Sequence, residues 1–134
     1  MEQGGFHEPS SDSDVLKLFV RTAEQRGGEL ANTLNTFLDS GAEVTSSGVP
    51  FVEITAAGVN KGNALAIVAS DLGIKPNRTI AFGDSYNDVS MLNWAGESVA
   101  MGNAVAELRA VATTVTSSNA EDGVAQFLEN RFTG

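Results

Sequence analysis

Residues 80–88 read Ile-Ala-Phe-Gly-Asp-Ser-Tyr-Asn-Asp, and this stretch decides the fold. The apolar run that ends at Phe82 is typical of a buried strand, and the Gly-Asp pair after it is typical of a tight turn into a helix. Ligands of open α/β sheets bind outside the carboxyl ends of the strands. Asp84, Asn87 and Asp88 therefore form a cluster of hard oxygen ligands at such an end, which suits Mg²⁺ better than a softer metal.

Helical and strand patterns alternate around this stretch. From residue 58 onward the apolar spacing predicts a helix over 61–72, strands over 79–82, 97–101 and 113–116, and helices over 89–94, 105–110 and 123–130. The helix 61–72 carries Leu65, Val68 and Leu72 on one face. Val124, Phe127 and Leu128 are expected to face inward from the last helix. Such alternation is typical of a parallel sheet. We therefore expect an α/β fold.

The N-terminal part has a different pattern. Residues 1–14 are polar and aperiodic, which predicts a flexible lead-in. The next segment, 15–57, contains a predicted strand at 15–20, a helical pattern that ends near Gly41, and two strand patterns at 43–46 and 51–55 joined by a turn-rich stretch. The change of pattern at Gly58 places a boundary between the segments 15–57 and 58–134.

Composition excludes several classes of protein. Eight basic and seventeen acidic residues give a net charge of −9, and no basic stripe is visible, so nucleic-acid binding is not expected. Apolar stretches are too short for a membrane span, and the start of the chain lacks the basic and apolar regions of a signal peptide. The absence of cysteine is consistent with a cytoplasmic location.

Other residues leave alternatives open. Lys61 begins the helix 61–72, where its charge opposes the helix dipole. An anionic partner such as a phosphate would account for it, and a solvated surface lysine is the alternative. Equally, Asp84 or Asp88 could simply cap a helix. Asp12 and Asp14 have the Asp-x-Asp spacing of a phosphotransferase nucleophile, but no apolar strand precedes them.

The chain resembles the Cof-type phosphatase branch of the haloacid dehalogenase superfamily. The matching stretches are residues 51–55, 58–65, 80–88, 91–92, 99–104 and 121–124. The resemblance implies Mg²⁺-dependent hydrolysis of a small phosphorylated metabolite through an aspartyl-phosphate. It also implies that Asp84 ligates Mg²⁺ and that Asp88 supports the ion directly or through water. Lys61 would contact the phosphoryl group and the nucleophile, and Asn87 would contact the phosphate.

The resemblance is to the C-terminal half of such an enzyme. The family's nucleophile motif, a strand followed by Asp-x-Asp, and its phosphate-binding Ser/Thr motif have no counterpart here. We therefore expect a partial Rossmann-like sheet preceded by an α+β remnant of the cap domain, inactive alone. In the family the nucleophile strand adjoins the strand equivalent to 79–82. Here that edge is expected to be apolar and unpaired, which favours self-association or a partner chain. The alternative is a non-catalytic module that binds a metal, a phosphate or a partner.

Overall fold

The structure, a computed structural model, describes residues 15–21, 27–38, 41–47 and 50–134. The expected lead-in 1–14 lies outside the described residues. The strands are β1 (Leu18–Arg21), β2 (Ala42–Thr45), β3 (Phe51–Ala56), β4 (Ile80–Gly83), β5 (Glu97–Ala100) and β6 (Thr114–Val115). The helices are α1 (Gly27–Phe37), α2 (Lys61–Asp71), α3 (Val89–Trp94), α4 (Ala106–Val111) and α5 (Gly123–Phe132). Short 3₁₀ turns cover Pro76–Arg78, Tyr86–Asp88 and Asn119–Glu121.

The first sheet is antiparallel, with strand order β1-β3-β2. Strands β2 and β3 form the predicted hairpin, in which Val44 lies opposite Ile54. Val52 is fully buried, and it forms a small apolar core with Val44 and with Ala31 of α1. The amphipathic pattern of α1 therefore serves to cover one face of this sheet.

The second sheet is parallel, with strand order β4-β5-β6. Ala81 lies opposite Ser98, and Val99 lies opposite Thr114. Helices α3 and α4 cover this sheet, and its core contains Ala81, Leu92, Ala100, Ala104 and Leu108. The expected α/β class is confirmed. Among the described residues, β4 pairs on one side only, so it is an edge strand.

Helix α2 packs through its small residues. Gly62 and Ala69 are buried, and a Cβ added at Gly62 would lie 2.4 Å from the backbone oxygen of Ser90, at the start of α3. By contrast, Val68 and Leu72 are 54% and 67% exposed. The predicted apolar face of this helix is therefore largely exposed, and a different face, with Gly62 and Ala69, packs against α3.

Helix α5 contacts the parallel sheet through an aromatic pair and through an ion pair between Arg131 and Glu97 of β5. The ring of Phe127 meets that of Phe82 edge-on, with 5.4 Å between their centres. The expectation that Val124 faces inward is wrong, since it is 38% exposed and lines an open cavity beside Met101. None of the helices in the described ranges has the length and apolar character that a membrane crossing requires.

Candidate functional site

The loop after β4 is folded back on itself by Asp88. Its Oδ2 accepts hydrogen bonds from the backbone N–H groups of Asp84 (3.0 Å) and Ser85 (3.1 Å). Ser85 and Asp88 form a capping box around the 3₁₀ turn that leads into α3. A Cβ added at Gly83 would lie 2.6 Å from that of Asp88, so only glycine lets the carboxyl group cross the end of β4. Asp88 is thus a capping residue, which was one of the two alternatives for this position.

Lys61 reaches the same loop from the first turn of α2. Its Nζ lies 2.5 Å from Asp88 Oδ1 and 3.5 Å from Asn87 Oδ1. Asp88 is buried, whereas the Lys61 side chain is 49% exposed. The structure therefore brings three of the predicted residues together, and the alternative of a merely solvated lysine is wrong. Both oxygens of Asp88 are engaged, one by Lys61 and one by the backbone.

The start of α2 is tied to the antiparallel sheet by Asn60. The Asn60 Oδ1 accepts a hydrogen bond from the backbone N–H of Asn63 at 2.8 Å, which caps the helix. Its Nδ2 donates to both carboxylate oxygens of Glu43 in β2, at 2.7 and 2.9 Å. One amide group therefore fixes where the helix carrying Lys61 begins.

The fourth predicted residue, Asp84, has a different partner. Its Oδ2 accepts a hydrogen bond of 2.7 Å from the Nδ2 of Asn119, in the turn after β6. The backbone N–H of Asn119 in turn donates to Asn103 Oδ1 at 2.8 Å, in the loop after β5. Neither asparagine was identified from the sequence. The available signal was position, since both follow parallel strands whose carboxyl ends meet at one edge of the sheet.

The antiparallel sheet also contacts this loop through one backbone atom. The Ser46 carbonyl accepts hydrogen bonds from the Asn87 backbone N–H (3.2 Å) and from Ser85 Oγ (3.3 Å). Ser46 is 1% exposed. It follows β2 in a turn-rich stretch, and nothing in the sequence distinguished it from an ordinary turn residue.

A cavity of about 230 Å³ opens between the antiparallel sheet and the start of α2, and Lys61 and Asn87 line it. Its wall includes Glu53, which forms an ion pair with Lys17. The distance between Glu53 Oε2 and Lys17 Nζ is 2.6 Å. Burial alone would raise the pKa of Glu53, but hydrogen bonds from Lys17 and Ser47 and the charges of Lys17 and Lys61 lower it below its usual value. Glu53 is therefore a carboxylate at neutral pH.

The oxygen ligands at the end of β4 fit a magnesium ion in part. Across the described ranges no group of three or more acidic, histidine or cysteine side chains could hold a metal. Asp84 Oδ1 has no hydrogen-bond partner there, whereas both oxygens of Asp88 already accept hydrogen bonds. Because Mg²⁺ is often held by one or two carboxylates together with substrate phosphate and waters, Asp84 suits a direct ligand. Asp88 suits an indirect one.

Comparisons with known proteins identify the family of this chain. The family model of haloacid dehalogenase-like hydrolases matches residues 6–128. The chain belongs to this family. The resemblance to its Cof-type branch is thereby confirmed. A Bacillus subtilis relative, 5-amino-6-(5-phospho-D-ribitylamino)uracil phosphatase YwtE, is 46% identical over 90 residues, which are 67% of this chain and 32% of that protein.

Two further comparisons concern how far the likeness extends. The structure of a haloacid dehalogenase-like hydrolase from B. subtilis superimposes with a TM-score of 0.78 at 31% identity, over 90% of this chain and 42% of that chain. The chloroplastic endoribonuclease YBEY of Arabidopsis thaliana is 31% identical over 116 residues, 86% of this chain and 20% of that protein. The chain thus spans less than half the length of each of these relatives. That partial coverage is consistent with the expected correspondence to one half of a family member.

Proposed function

We propose that this chain carries the lysine and acidic-motif half of a phosphatase site that hydrolyses the phosphomonoester of a small metabolite. The observation that carries the proposal is the ion pair between Lys61 and Asp88, which joins two separate βα units beside Asn87. The aspartate nucleophile of the family would lie in a part of the fold outside the matched region. Asp12 and Asp14 lie outside the described residues, and no apolar run precedes them in the sequence.

Lys61 and Asn87 are proposed to hold the phosphoryl group. A lysine ammonium has three N–H donors, so the half-exposed Lys61 keeps one for a phosphate oxygen beyond those given to Asp88 and Asn87. The Nδ2 of Asn87 has no partner among the described residues, so it is available as a second donor. In a chain with a net charge of −9, this local cation is what makes an anion site possible. Lys61 would also stabilise charge on the transferring oxygens, which makes it the proposed catalytic residue.

Asp84 and Asp88 are proposed to serve Mg²⁺ in different ways. The free oxygen of Asp84 would ligate the ion directly. Asp88 would act through water, and it would keep the loop folded through its two backbone hydrogen bonds. When bound, Mg²⁺ would offset negative charge on the phosphoryl oxygens. The cavity beside Lys61 is proposed to accept the organic part of the substrate.

Phosphate binding is tested on the chain alone by titrating inorganic phosphate with Mg²⁺ present and following backbone amide resonances. We expect resonances of the loop 84–88 to shift, and Lys61→Met to weaken binding about 10- to 100-fold, because a charge-assisted hydrogen bond is lost. Lys75→Met is the matched control, since Lys75 is exposed and precedes β4, whereas the loop follows that strand. Equal losses in the two variants, or no shifts in the wild type, would contradict the proposal. With Mg²⁺ and an aryl phosphate, we expect no release of phosphate by the chain alone.

Magnesium binding is tested by the melting temperature. Unfolding entropy is about 2.1 cal/mol/K per residue, so 134 residues give about 280 cal/mol/K. An ion at tenfold excess over its Kd stabilises the folded state by about 1.4 kcal/mol, or about 5 °C. Asp84→Asn should abolish this shift, and Asp71→Asn, a charge-matched change at the exposed end of α2, should keep it. A shift that survives Asp84→Asn would place the ion elsewhere.

We also propose that a further polypeptide segment covers the edge of β4 and the exposed face of α2. The edge is unpaired among the described residues, and Ile67, Val68 and Leu72 of α2 are each more than half exposed. The occupant we favour is the part of the family fold outside the matched region, because the chain covers only 42% of the solved relative. A second copy of this chain would cover the same surface when that part is absent.

Sedimentation equilibrium tests this surface. We expect the chain alone to self-associate as its concentration rises, and Leu72→Lys to reduce the association. Phe132→Lys is the matched control, because Phe132 is a similarly exposed apolar residue at the end of α5. A clean monomer at high concentration would contradict an apolar docking surface, and so would equal effects of the two variants.

The second candidate function is a non-catalytic module that binds a metal, a phosphate or a partner. The observation in its favour is the likeness over 86% of the chain to a protein named for endoribonuclease activity. Phosphate release from an aryl phosphate by this chain with Mg²⁺ would exclude it.

In either case we propose a division near Gly58, with 15–57 as cap remnant and 58–134 as core. We also propose a cytoplasmic location and no nucleic-acid or membrane partner.

A further inference from the structure

The contact between Asp84 and Asn119 joins two loops that are far apart in sequence. Asp84 follows β4, and Asn119 opens the turn after β6, 35 residues later. The bond from Asn119 Nδ2 to Asp84 Oδ2 is 2.7 Å long, which is short for an amide donor. Among the described residues, this bond is the only one that the Asp84 carboxylate makes.

The position of Asn119 is itself fixed on several sides. Its backbone N–H donates to Asn103 Oδ1 at 2.8 Å. Glu121 Oε2 accepts from both the backbone N–H (3.1 Å) and the Oγ (2.6 Å) of Ser118, which closes a capping box around the turn. A Cβ at Gly123 would lie 2.0 Å from the Ser117 carbonyl oxygen, so the chain leaves the turn at a site only glycine fits. The turn therefore presents the Asn119 amide in one place.

The chemistry of this donor suits a carboxylate that must also bind a cation. An amide N–H holds one oxygen without bringing a positive charge, whereas a lysine or arginine there would repel the ion. Because Oδ2 is held, Oδ1 is the oxygen left without a partner among the described residues. The contrast is Asp88, whose two oxygens are both occupied and which faces the Lys61 ammonium.

We propose that Asn119 is the positioning residue for Asp84: its amide fixes the carboxylate so that Oδ1 faces the cation. The inference rests on the proposed function in one respect, which is that Asp84 ligates Mg²⁺. It adds a residue from the loop after β6 to the site, and it links that loop to the loops after β4 and β5 through Asn103.

The test compares Asn119→Ala with Asn130→Ala in the full chain. Asn130 is exposed on α5, and its side chain makes no hydrogen bond among the described residues. The first measurement is the Mg²⁺ dissociation constant, followed through backbone amide shifts of the loop 84–88. We expect Asn119→Ala to raise it about tenfold, at the low end of what outer-shell partners contribute, and Asn130→Ala to leave it unchanged. Asn119→Gln keeps the donor and should recover part of the loss.

The second measurement needs no metal. A double-mutant cycle of Asp84→Ala and Asn119→Ala, in urea with a chelator, gives the coupling between the two side chains. We expect a coupling of about two- to tenfold in the unfolding equilibrium constant. If the wild type binds Mg²⁺ and Asn119→Ala binds it equally well, the inference is overturned. If the wild type binds no Mg²⁺, the proposed metal site fails; the cycle then decides alone, and a coupling of zero overturns the inference.

Discussion

Replacing Gly62 by alanine should weaken both the fold and the site, because α2 and α3 approach each other through this residue. The added Cβ would lie 2.4 Å from the Ser90 carbonyl oxygen, 2.6 Å from its carbonyl carbon and 3.0 Å from its Cβ. Ordinary contacts between such atoms are about 3.5 Å, so the helices must separate by about 1 Å. Two of the three atoms are backbone, so a rotamer change cannot relieve the clash.

The size of the effect follows from two opposing terms. Overpacking of this kind costs about 1–3 kcal/mol, and alanine regains about 0.5–1 kcal/mol over glycine in a helix. From the midpoints of the two ranges, the net loss is about 1.3 kcal/mol. Divided by the unfolding entropy of about 280 cal/mol/K, it lowers the melting temperature by about 4–5 °C. Scanning calorimetry measures this directly.

Gly41→Ala is the matched control, because no atom lies within 4 Å of the Cβ it would add. It should change the melting temperature by less than about 2 °C. A Gly62→Ala variant as stable as the wild type would refute the close approach of α2 and α3. So would an equal loss in both variants. Since Lys61 precedes Gly62, the displaced helix should also weaken phosphate binding.

Three further predictions concern ionisable groups. Burial, and then the charge and hydrogen bond of Glu107, raise the pKa of Tyr86 above its usual value. The phenol is the only one in the chain, so its ultraviolet titration should have a midpoint above pH 10, and Glu107→Gln should lower it. This contribution to stability is present below pH 10 and is lost as the pH rises through the raised pKa. The lowered pKa of Glu53 acts in the opposite direction. Its contribution to the free energy of unfolding is present above pH 4.5 and is lost as the pH falls through the lowered pKa. Glu53→Gln should therefore flatten the acid-unfolding curve in that range. Asp88→Asn should lower the free energy of unfolding in urea by about 1–3 kcal/mol. The buried carboxylate of Asp88 accepts hydrogen bonds from two backbone N–H groups and pairs with Lys61, and the substitution removes its charge.

Each of these has a plain contrary result. A tyrosine midpoint at or below pH 10 would mean that neither burial nor Glu107 raises the pKa of the phenol. An acid-unfolding curve that Glu53→Gln leaves unchanged would mean that the ion pair with Lys17 makes no contribution. An Asp88→Asn variant of wild-type stability would mean that the carboxylate does not hold the loop.

The elements of the parallel sheet could be predicted because their signals are local. Short apolar runs and glycines at turns placed β4 to within one residue and α2 at the same first residue as the structure. Gly73 ends α2 in a left-handed conformation with φ of 66°, which a glycine after an apolar pattern indicates. The contact between Lys61 and Asp88 was not predicted in this way, because it joins the segment after β3 of the antiparallel sheet to the loop after β4 of the parallel sheet.

Long-range partners could not be predicted, because no local pattern records them. Ser46 contacts Ser85 across 39 residues, and Asn119 contacts Asp84 across 35. Both are small polar residues in turn-rich stretches, where such residues are usually structural. The face of α2 that packs against α3 could not be predicted either, because its buried residues are Gly62 and Ala69 rather than the larger apolar residues.

The double role of Asn60 has a consequence for chimeras between relatives. Its Oδ1 caps the start of α2, and its Nδ2 donates hydrogen bonds to Glu43 of the neighbouring sheet. A transplanted β2 that lacks an acceptor at position 43 would leave the amide half satisfied, and the lysine that follows would lose its fixed starting point. Grafts that seek a new specificity should therefore exchange positions 43 and 60 as a pair.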